Sequence, residues 1–167
     1  MSPEEFSSTF EVDERVIDGD LLVLRSNDKS DALPSKTDFL QAMFWKGRLV
    51  KFSWVSDNFT GDLFGKEGQE AYAKLASTLS QKLGAGEETT ITGRELWDEP
   101  DEFYQCLAYD GCGVWVTFWV NSSVGNNIAV LQLNGLDRGE GYLRYVVEHP
   151  DWYKYSDDRA SGDASKF

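Results

Sequence analysis

The segment Lys66–Leu83 carries the clearest periodic pattern in the chain, and it most constrains how the chain folds. Its apolar residues follow helical spacing, at Tyr72, Leu75, Ala76, Leu79 and Leu83. Gly84 comes next, where a residue in left-handed conformation commonly ends a helix. We therefore expect one amphipathic helix here, whose apolar face must be buried against another layer of structure.

Residues before this helix alternate in the manner of extended strands. Phe39–Trp45 and Arg48–Val55 lie on either side of a short turn, and the period-two alternation in this region predicts a β-hairpin. The alternative is a helix over residues 36–46 that begins after Ser35 and ends at Gly47. The alternation through Arg48–Val55 favours the hairpin.

The N-terminal region predicts a short helix followed by strands. Ser2 and Glu5 have the spacing of a capping box, in which each side chain accepts a hydrogen bond from the other residue's amide. The following stretch to Arg25 predicts strands that turn at Asp18-Gly19. Residues 26–35 predict a polar loop.

Four strand-like runs with turn-forming residues between them follow the long helix. They are Thr89–Leu96, Phe103–Tyr109, Cys112–Asn121 and Ile128–Leu133. This succession predicts an antiparallel meander. The next segment, Tyr142–Glu148, is ambiguous, but three of its apolar residues share a helical face and His149-Pro150 would end a helix.

The order of these elements predicts an α+β fold, because there are too few helices to cover the crossovers of a parallel sheet. We expect an antiparallel sheet built from hairpin, helix and then β-meander, with one or two helices packed on one face. Residues 1–155 are expected to form a single domain. Residues 156–167, which are rich in Asp, Ser and Gly, are expected to form a mobile C-terminal tail.

The chain is strongly acidic, with 16 Lys and Arg against 29 Asp and Glu and a net charge of −13. Such a field repels phosphate backbones and anionic membranes, so we expect no direct nucleic-acid or membrane binding. Residues 1–33 and 84–103 are strongly acidic, whereas residues 34–83 carry seven bases and five acids. Because no leader-like N-terminus or bilayer-spanning run is evident, cytoplasmic residence is the expectation.

Acids are densest around a bend at Pro100. Beside Trp97, the four carboxylates that flank the bend are Asp98, Glu99, Asp101 and Glu102. Like charges this close repel one another unless a cation or a basic protein neutralises them. The segment therefore predicts a partner-binding site, with a merely solvated loop as the alternative.

The strand-like run Cys112–Asn121 separates into two faces. One face predicts core and carries Cys112, Val114, Val116, Phe118 and Val120. The other carries Trp115 and Trp119, which would be interface anchors if the helices cover the first face. The alternative is that the C-terminal helix or the N-terminal segment covers the two tryptophans.

The cysteines Cys106 and Cys112 flank Asp110-Gly111, a dipeptide typical of two-residue hairpin turns. In that hairpin Cys106 would lie opposite Trp115, which places the two sulfur atoms on opposite faces of the ribbon. We therefore expect no disulfide bond between them.

Common catalytic centres find little support in the sequence. His149 is the only histidine, and its place before Pro150 favours a capping or surface role. Gly61–Glu67 differs from a phosphate-binding loop in length and ends on a carboxylate, so it predicts a turn that leads into the helix. The glycines around Asp137 and Glu140 match no EF-hand loop. We expect no metal site and no cofactor.

These features predict a non-enzymatic protein that neutralises a basic, nucleic-acid-directed protein partner. An immunity protein, an antitoxin or a phage-type inhibitor of a nuclease or defence complex has these properties. The predicted contact residues are Trp97, Asp98, Glu99, Asp101, Glu102, Trp115 and Trp119. Two alternatives stay open: a carboxylate-based small hydrolase or small-ligand binder using the Trp115/Trp119 face, and a structural or assembly subunit.

Overall fold

The computed structural model describes residues 1–28, 34, 36–93, 99–120 and 125–164. For residues 160–164 it describes the backbone alone. The helices are α1 Pro3–Thr9, α2 Lys66–Leu83, α3 Phe103–Ala108 and α4 Pro150–Ala164, and a 3₁₀ turn Pro100–Glu102 precedes α3. The strands are β1 Glu14–Asp18, β2 Leu21–Ser26, β3 Thr37–Trp45, β4 Arg48–Ser56, β5 Glu87–Ile91, β6 Val114–Trp119, β7 Ile128–Asp137 and β8 Glu140–Glu148. None of these described helices is both long enough and apolar enough to cross a membrane.

The strands form one eight-stranded antiparallel sheet in the order β1-β2-β3-β4-β8-β7-β6-β5. Its two halves, β1–β4 and β5–β8, meet where β4 pairs with β8, from Lys51 opposite Glu148 to Val55 opposite Arg144. The α+β fold class and the antiparallel sheet predicted from the sequence are confirmed.

Helices α1, α2 and α3 cover one face of this sheet. Phe6 of α1 lies against Phe44 of β3, with ring centroids 6.5 Å apart, and Tyr72 of α2 is buried in the same core. Helix α4 contacts Trp45 and Lys51, whose side chains alternate away from that face. Thus more helices pack on the sheet than the sequence predicted, and they occupy both of its faces.

Several local predictions are confirmed. Helix α1 begins with the capping box of Ser2 and Glu5, and α2 has the bounds that its periodicity predicted. Residues 37–45 form a strand, so the alternative helix over residues 36–46 is wrong. The strand buries alternate residues, Leu40, Ala42 and Phe44, against the helices, and a helix could not present all three to one surface.

The segment Phe103–Tyr109, predicted as a strand, is instead the helix α3 followed by a turn. Pro100 begins the 3₁₀ turn, and Glu99 and Glu102 cap each other across it. Pro100 and this cap favour a helical backbone before Phe103. Strand propensity, which considers each residue type by itself, does not include these two signals.

The segment Tyr142–Glu148, which the sequence left ambiguous with a helical spacing of its apolar residues, lies within β8. This strand is central in the sheet, and Leu143 and Val146 are both buried although they point to opposite faces. A strand buried on both faces loses its alternating pattern, and its apolar spacing then resembles one face of a helix.

Cys106 and Cys112 form a disulfide bond, so the prediction against it is wrong. The expected turn is present, since the amide of Cys112 donates to the carbonyl of Tyr109 (3.1 Å). It connects helix α3 to β6, however, and not two strands. Because Cys106 lies on a helix, the rule of alternating strand faces does not apply to it.

Helix α4 extends through most of the segment that the sequence predicts as a mobile tail. Its backbone is helical to Ala164, and Arg159 forms an ion pair with Asp18 of β1 at 2.9 Å. The boundary at residue 155 and the mobility of residues 156–167 stay predictions.

Loss of the disulfide bond is expected to destabilise the fold. In the double variant Cys106→Ser/Cys112→Ser the unfolded chain is no longer closed into a short loop, which lowers the free energy of unfolding by about 2 kcal/mol. Urea denaturation measures the difference. A reducing agent should lower the stability of the natural chain and leave the double variant unchanged, and equal sensitivity of both proteins would contradict the bond.

Alkaline pH is expected to weaken the packing of α2 on the sheet. Burial raises the pKa of Tyr72 from 10.0 to about 12 in spite of its hydrogen bond to Thr117. Below pH 10 this tyrosine is neutral in both states, and between pH 10 and 12 the unfolded chain ionises first, so stability falls as pH rises. The free energy of unfolding of Tyr72→Phe should fall less steeply over this range. The exposed Tyr109→Phe is the control and should follow the natural chain.

Candidate functional site

The two tryptophans of β6 are covered. Trp119 is fully buried, and its indole Nε1 donates to the carbonyl of Gly84 at 3.1 Å. The ring of Trp115 lies 5.3 Å from that of Phe103 and 6.4 Å from that of Tyr72, measured between centroids. The alternative that these residues are covered is therefore correct, although α2 and α3 cover them, and not the C-terminal helix or the N-terminal segment.

The face of β6 predicted as core is largely open. Val116 is buried, but Phe118 is 39% exposed and Val114 and the nearby Val120 are 46% and 59% exposed. The prediction for this face is wrong, because the helices pack on the opposite side. Tryptophan buries a larger apolar area than valine, so covering the Trp115/Trp119 side stabilises the domain more.

A second candidate surface begins at the loop of residues 57–65, which joins β4 to α2. The amide of Phe59 donates to the carbonyl of Gly141 (2.7 Å), and the amide of Asp62 donates to that of Gly139 (3.1 Å). These bonds hold the loop against the turn between β7 and β8. Two segments far apart in the sequence therefore share one end of the sheet.

Asp62 connects this loop to two helices. Its Oδ2 accepts hydrogen bonds from the hydroxyl of Tyr104 in α3 (2.9 Å) and from the amide of Gly68 in α2 (3.0 Å). Burial raises the pKa of Tyr104 well above its ordinary value, and the Asp62 carboxylate raises it further. The tyrosine thus remains a hydrogen-bond donor at neutral and moderately alkaline pH.

Two glycines allow α3 to lie directly on the sheet. A Cβ atom at Gly135 would lie 1.7 Å from the carbonyl oxygen of Tyr104, and one at Gly141 would lie 2.2 Å from its ring. Any other residue at these positions would displace the helix. This close approach brings the 3₁₀ turn before α3 to the same end of the sheet as the β7–β8 turn.

The acidic 3₁₀ turn contacts the β7–β8 turn through an ion pair between Asp101 and Arg138. Glu99 and Glu102 cap each other, and the amide of Glu99 donates to Glu102 at 3.2 Å. Three chain segments therefore meet, and we call their joint surface the acidic end. It consists of Leu63, Phe64, Glu99, Asp101, Glu102, Asp137, Arg138 and Glu140.

Apolar side chains are exposed at the acidic end. Leu63 is 41% exposed and lies beside Gly139, and Phe64 is 61% exposed. Protein interfaces commonly combine an aromatic anchor with a polar rim. The acidic end has this composition, with five carboxylates and one guanidinium around two apolar side chains.

The structure unites some of the predicted contact residues and separates others. Glu99, Asp101 and Glu102 belong to the acidic end. Trp119 is fully buried, and Trp115 is partly buried against Phe103, so neither is a freely exposed anchor. Trp97 and Asp98 fall outside the described residues.

Sequence reasoning did not assign Leu63, Phe64, Asp137, Arg138 or Glu140 to a partner-binding site. The interpretation of Gly61–Glu67 as a turn leading into a helix is confirmed. The turn composition was the available signal. No spacing in the sequence indicates that the two turns meet.

His149 has a capping role, as its position before Pro150 predicted. Its Nδ1 accepts a hydrogen bond from the amide of Asp151 in the first turn of α4 at 3.1 Å. A hydrogen bond from Lys154 lowers the pKa of Asp151, and its neighbours His149 and Arg48 lower it further. The lowered pKa favours a charged, structural carboxylate at this position.

Three cavities of about 420 Å³ each are lined by described residues. One lies on the sheet face opposite α2, near Phe39 and Arg144, and two lie between α2 and the sheet. Among the described lining residues, the cavity near Phe39 and Arg144 has one carboxylate, that of Asp38. Of the two cavities between α2 and the sheet, one has the carboxylate of Glu67 and the other has none. Within the described residues no cluster of His, Cys, Asp and Glu could hold a metal ion.

Comparison with protein families, with curated proteins and with solved structures finds no match to this chain.

Removal of the Tyr104 hydroxyl is expected to weaken the acidic end from within. In Tyr104→Phe the half-buried Asp62 carboxylate loses one of its two donors, which lowers the free energy of unfolding by about 2 kcal/mol. Urea denaturation measures the loss. The control Tyr109→Phe changes a side chain that is 47% exposed and should have no effect. A loss as small as the control's would show that the bond does not anchor the loop.

Proposed function

We propose that this chain is a non-enzymatic binding protein whose acidic end occupies a basic, nucleic-acid-directed site on another protein. Carboxylates can fill a groove of Lys and Arg side chains that phosphates would otherwise occupy. A net charge of −13 also steers the chain toward such a groove and accelerates capture. An immunity protein, an antitoxin or an inhibitor of a nuclease or defence complex acts in this way.

The observation that carries the proposal is the meeting of acidic and apolar groups from three segments. Phe64 supplies an exposed aromatic group, and the 3₁₀ turn and the β7–β8 turn supply the acidic rim. Arg138 neutralises only part of this charge. A basic partner would relieve the remaining repulsion and bury the phenyl ring in the same contact.

The alternative of a hydrolase or ligand binder over Trp115 and Trp119 has less support, since α2 and α3 occupy that face. In addition, the described lining of each 420 Å³ cavity lacks the paired carboxylates that glycoside hydrolysis requires. An assembly subunit would self-associate, and sizing at low micromolar concentration tests this alternative directly.

Two steps test the proposal. The first captures partners from a lysate of the source cells on the immobilised chain, at about 0.1 M and at about 1 M salt. Between these two concentrations the Debye length falls from about 10 Å to about 3 Å, so electrostatic attraction is screened at the higher one. The second measures binding of the purified partner to labelled DNA or RNA by fluorescence anisotropy. We expect capture to weaken at high salt, and the chain to displace the nucleic acid. Capture that ignores salt or leaves nucleic-acid binding intact would contradict the proposal.

Variants of the acidic end are expected to lose the partner. Phe64→Ala should weaken affinity about thirtyfold, the effect of losing an interface hot spot of about 2 kcal/mol. Glu99→Gln/Glu102→Gln removes two charges and can preserve the capping box, since glutamine serves there as well. This double variant should mainly slow association at low salt.

Matched controls come from the far edge of the sheet. Ile17→Ala removes an apolar side chain that is 66% exposed, and Glu11→Gln/Glu14→Gln removes two exposed charges. Both controls should retain the natural affinity. If they weaken binding as much as the acidic-end variants do, the chain binds through its total charge, and the proposed site is wrong.

Cytoplasmic residence also stays a proposal, and the disulfide bond bears on it. Stable disulfides are rare in reducing compartments, so a cytoplasmic chain would hold Cys106 and Cys112 as thiols or keep the bond by burial. Both residues are fully buried. Alkylation of intact cells followed by mass spectrometry reports which state is present.

A further inference from the structure

An apolar trough runs between α2 and the sheet. Two of the 420 Å³ cavities share Trp54, Leu75 and Thr78 in their walls, so they form one continuous depression. Each cavity has a volume within the range of small-molecule sites. We call this depression the α2 trough, and its principal lining residues are Phe52, Trp54, Leu75, Thr78, Leu79 and Tyr145.

Two polar groups in the walls of the trough form hydrogen bonds within the protein. The indole Nε1 of Trp54 donates to Oγ1 of Thr37 at 2.8 Å, and Oγ1 of Thr78 donates to the carbonyl of Lys74 at 2.9 Å. The trough therefore presents mainly carbon. An apolar ligand would lose little by replacing water there, whereas a polar one would lose its hydrogen bonds to water.

Lysines border the trough. Lys74 lines one half and Lys82 the other, and eight residues of helix place them about 12 Å apart along α2. Neither forms an ion pair with a described residue, whereas the third bordering lysine, Lys36, is paired with Glu67. Lys74 and Lys82 lie in residues 34–83, a stretch with seven bases and five acids in a chain whose net charge is −13.

We propose that the α2 trough binds a small amphipathic anion, an unbranched alkyl carboxylate of medium length. The carbon walls accommodate the alkyl chain, and the ammonium group of Lys74 or Lys82 receives the carboxylate. Charge complementarity decides the class of ligand, since a neutral hydrocarbon would leave both ammonium groups unused and a cation would be repelled by them. This site is independent of the acidic end.

The test uses octanoate and its neutral counterpart 1-octanol, both below the concentrations at which they aggregate. Isothermal titration calorimetry should detect saturable binding of one octanoate per chain, and 1-octanol should bind about two- to fivefold more weakly, because it lacks the ion pair. Equal affinity for the two compounds, or no saturable binding of octanoate, would overturn the proposal.

Charge-reversal variants locate the site. Lys74→Glu/Lys82→Glu should weaken octanoate binding by about fivefold or more and leave 1-octanol binding nearly unchanged. The control Lys46→Glu/Lys66→Glu alters two exposed lysines outside the trough and has the same net charge. Equal loss in both double variants would mean that octanoate responds only to total charge, which would also overturn the proposal.

A filling variant tests the position of the alkyl chain. Thr78→Phe places an aromatic ring in the trough and should abolish binding of both octanoate and 1-octanol. The thermal midpoint of unfolding shows whether this variant is folded. In NMR spectra of the natural chain, nuclear Overhauser contacts should join Trp54 to the octanoate chain. Contacts from Trp54 to residues 29–33 or to a second copy of the chain in their place would overturn the proposal.

Discussion

The rest of the structure depends on the antiparallel pairing of β4 with β8. This pairing joins two halves of the sheet that are each built from neighbouring strands. At one end of the ladder Lys51 forms an ion pair with Glu148 at 2.7 Å, and beyond the other end the hydroxyl of Ser56 accepts a hydrogen bond from the amide of Leu143 at 2.9 Å. Without the pairing, α2 would lack a continuous surface, and the loop after β4 would not meet the β7–β8 turn.

Acidity in this chain is partly used inside the fold. Asp62 holds a loop to two helices, Glu99 and Glu102 cap a turn, and Asp101 pairs with Arg138. A dense run of carboxylates in a sequence therefore need not be free to bind a partner. At the acidic end the two roles coincide, because the same bonds that shape the turn also bring its charges beside Leu63 and Phe64.

Strand β6 illustrates the limit of a period-two pattern. Alternation correctly separates its residues into two faces, but both faces are apolar, so the pattern does not reveal which one the helices cover. That choice follows from contacts made by α2 and its C-terminal end, where Tyr72 bonds to Thr117 at 2.5 Å and Gly84 accepts from Trp119 at 3.1 Å. The same contacts explain why the Trp115/Trp119 side is core and the Val114/Phe118 side is open.

The sequence by itself determined α1, α2, the β3–β4 hairpin, the α+β class and the acidic character of residues 99–102, because caps, periodicity and charge act over a few neighbouring residues. Only the tertiary structure decided that residues 103–108 are helical, that residues 140–148 are a strand, that Cys106 bonds to Cys112 and that Leu63 and Phe64 join the acidic turn. The strand, the covered tryptophans and the acidic end follow from contacts between segments distant in the chain. The helix over residues 103–108 does have local signals, in Pro100 and the Glu99/Glu102 cap, but only the packed structure shows that they prevail over strand propensity, and the disulfide bond follows from that helix.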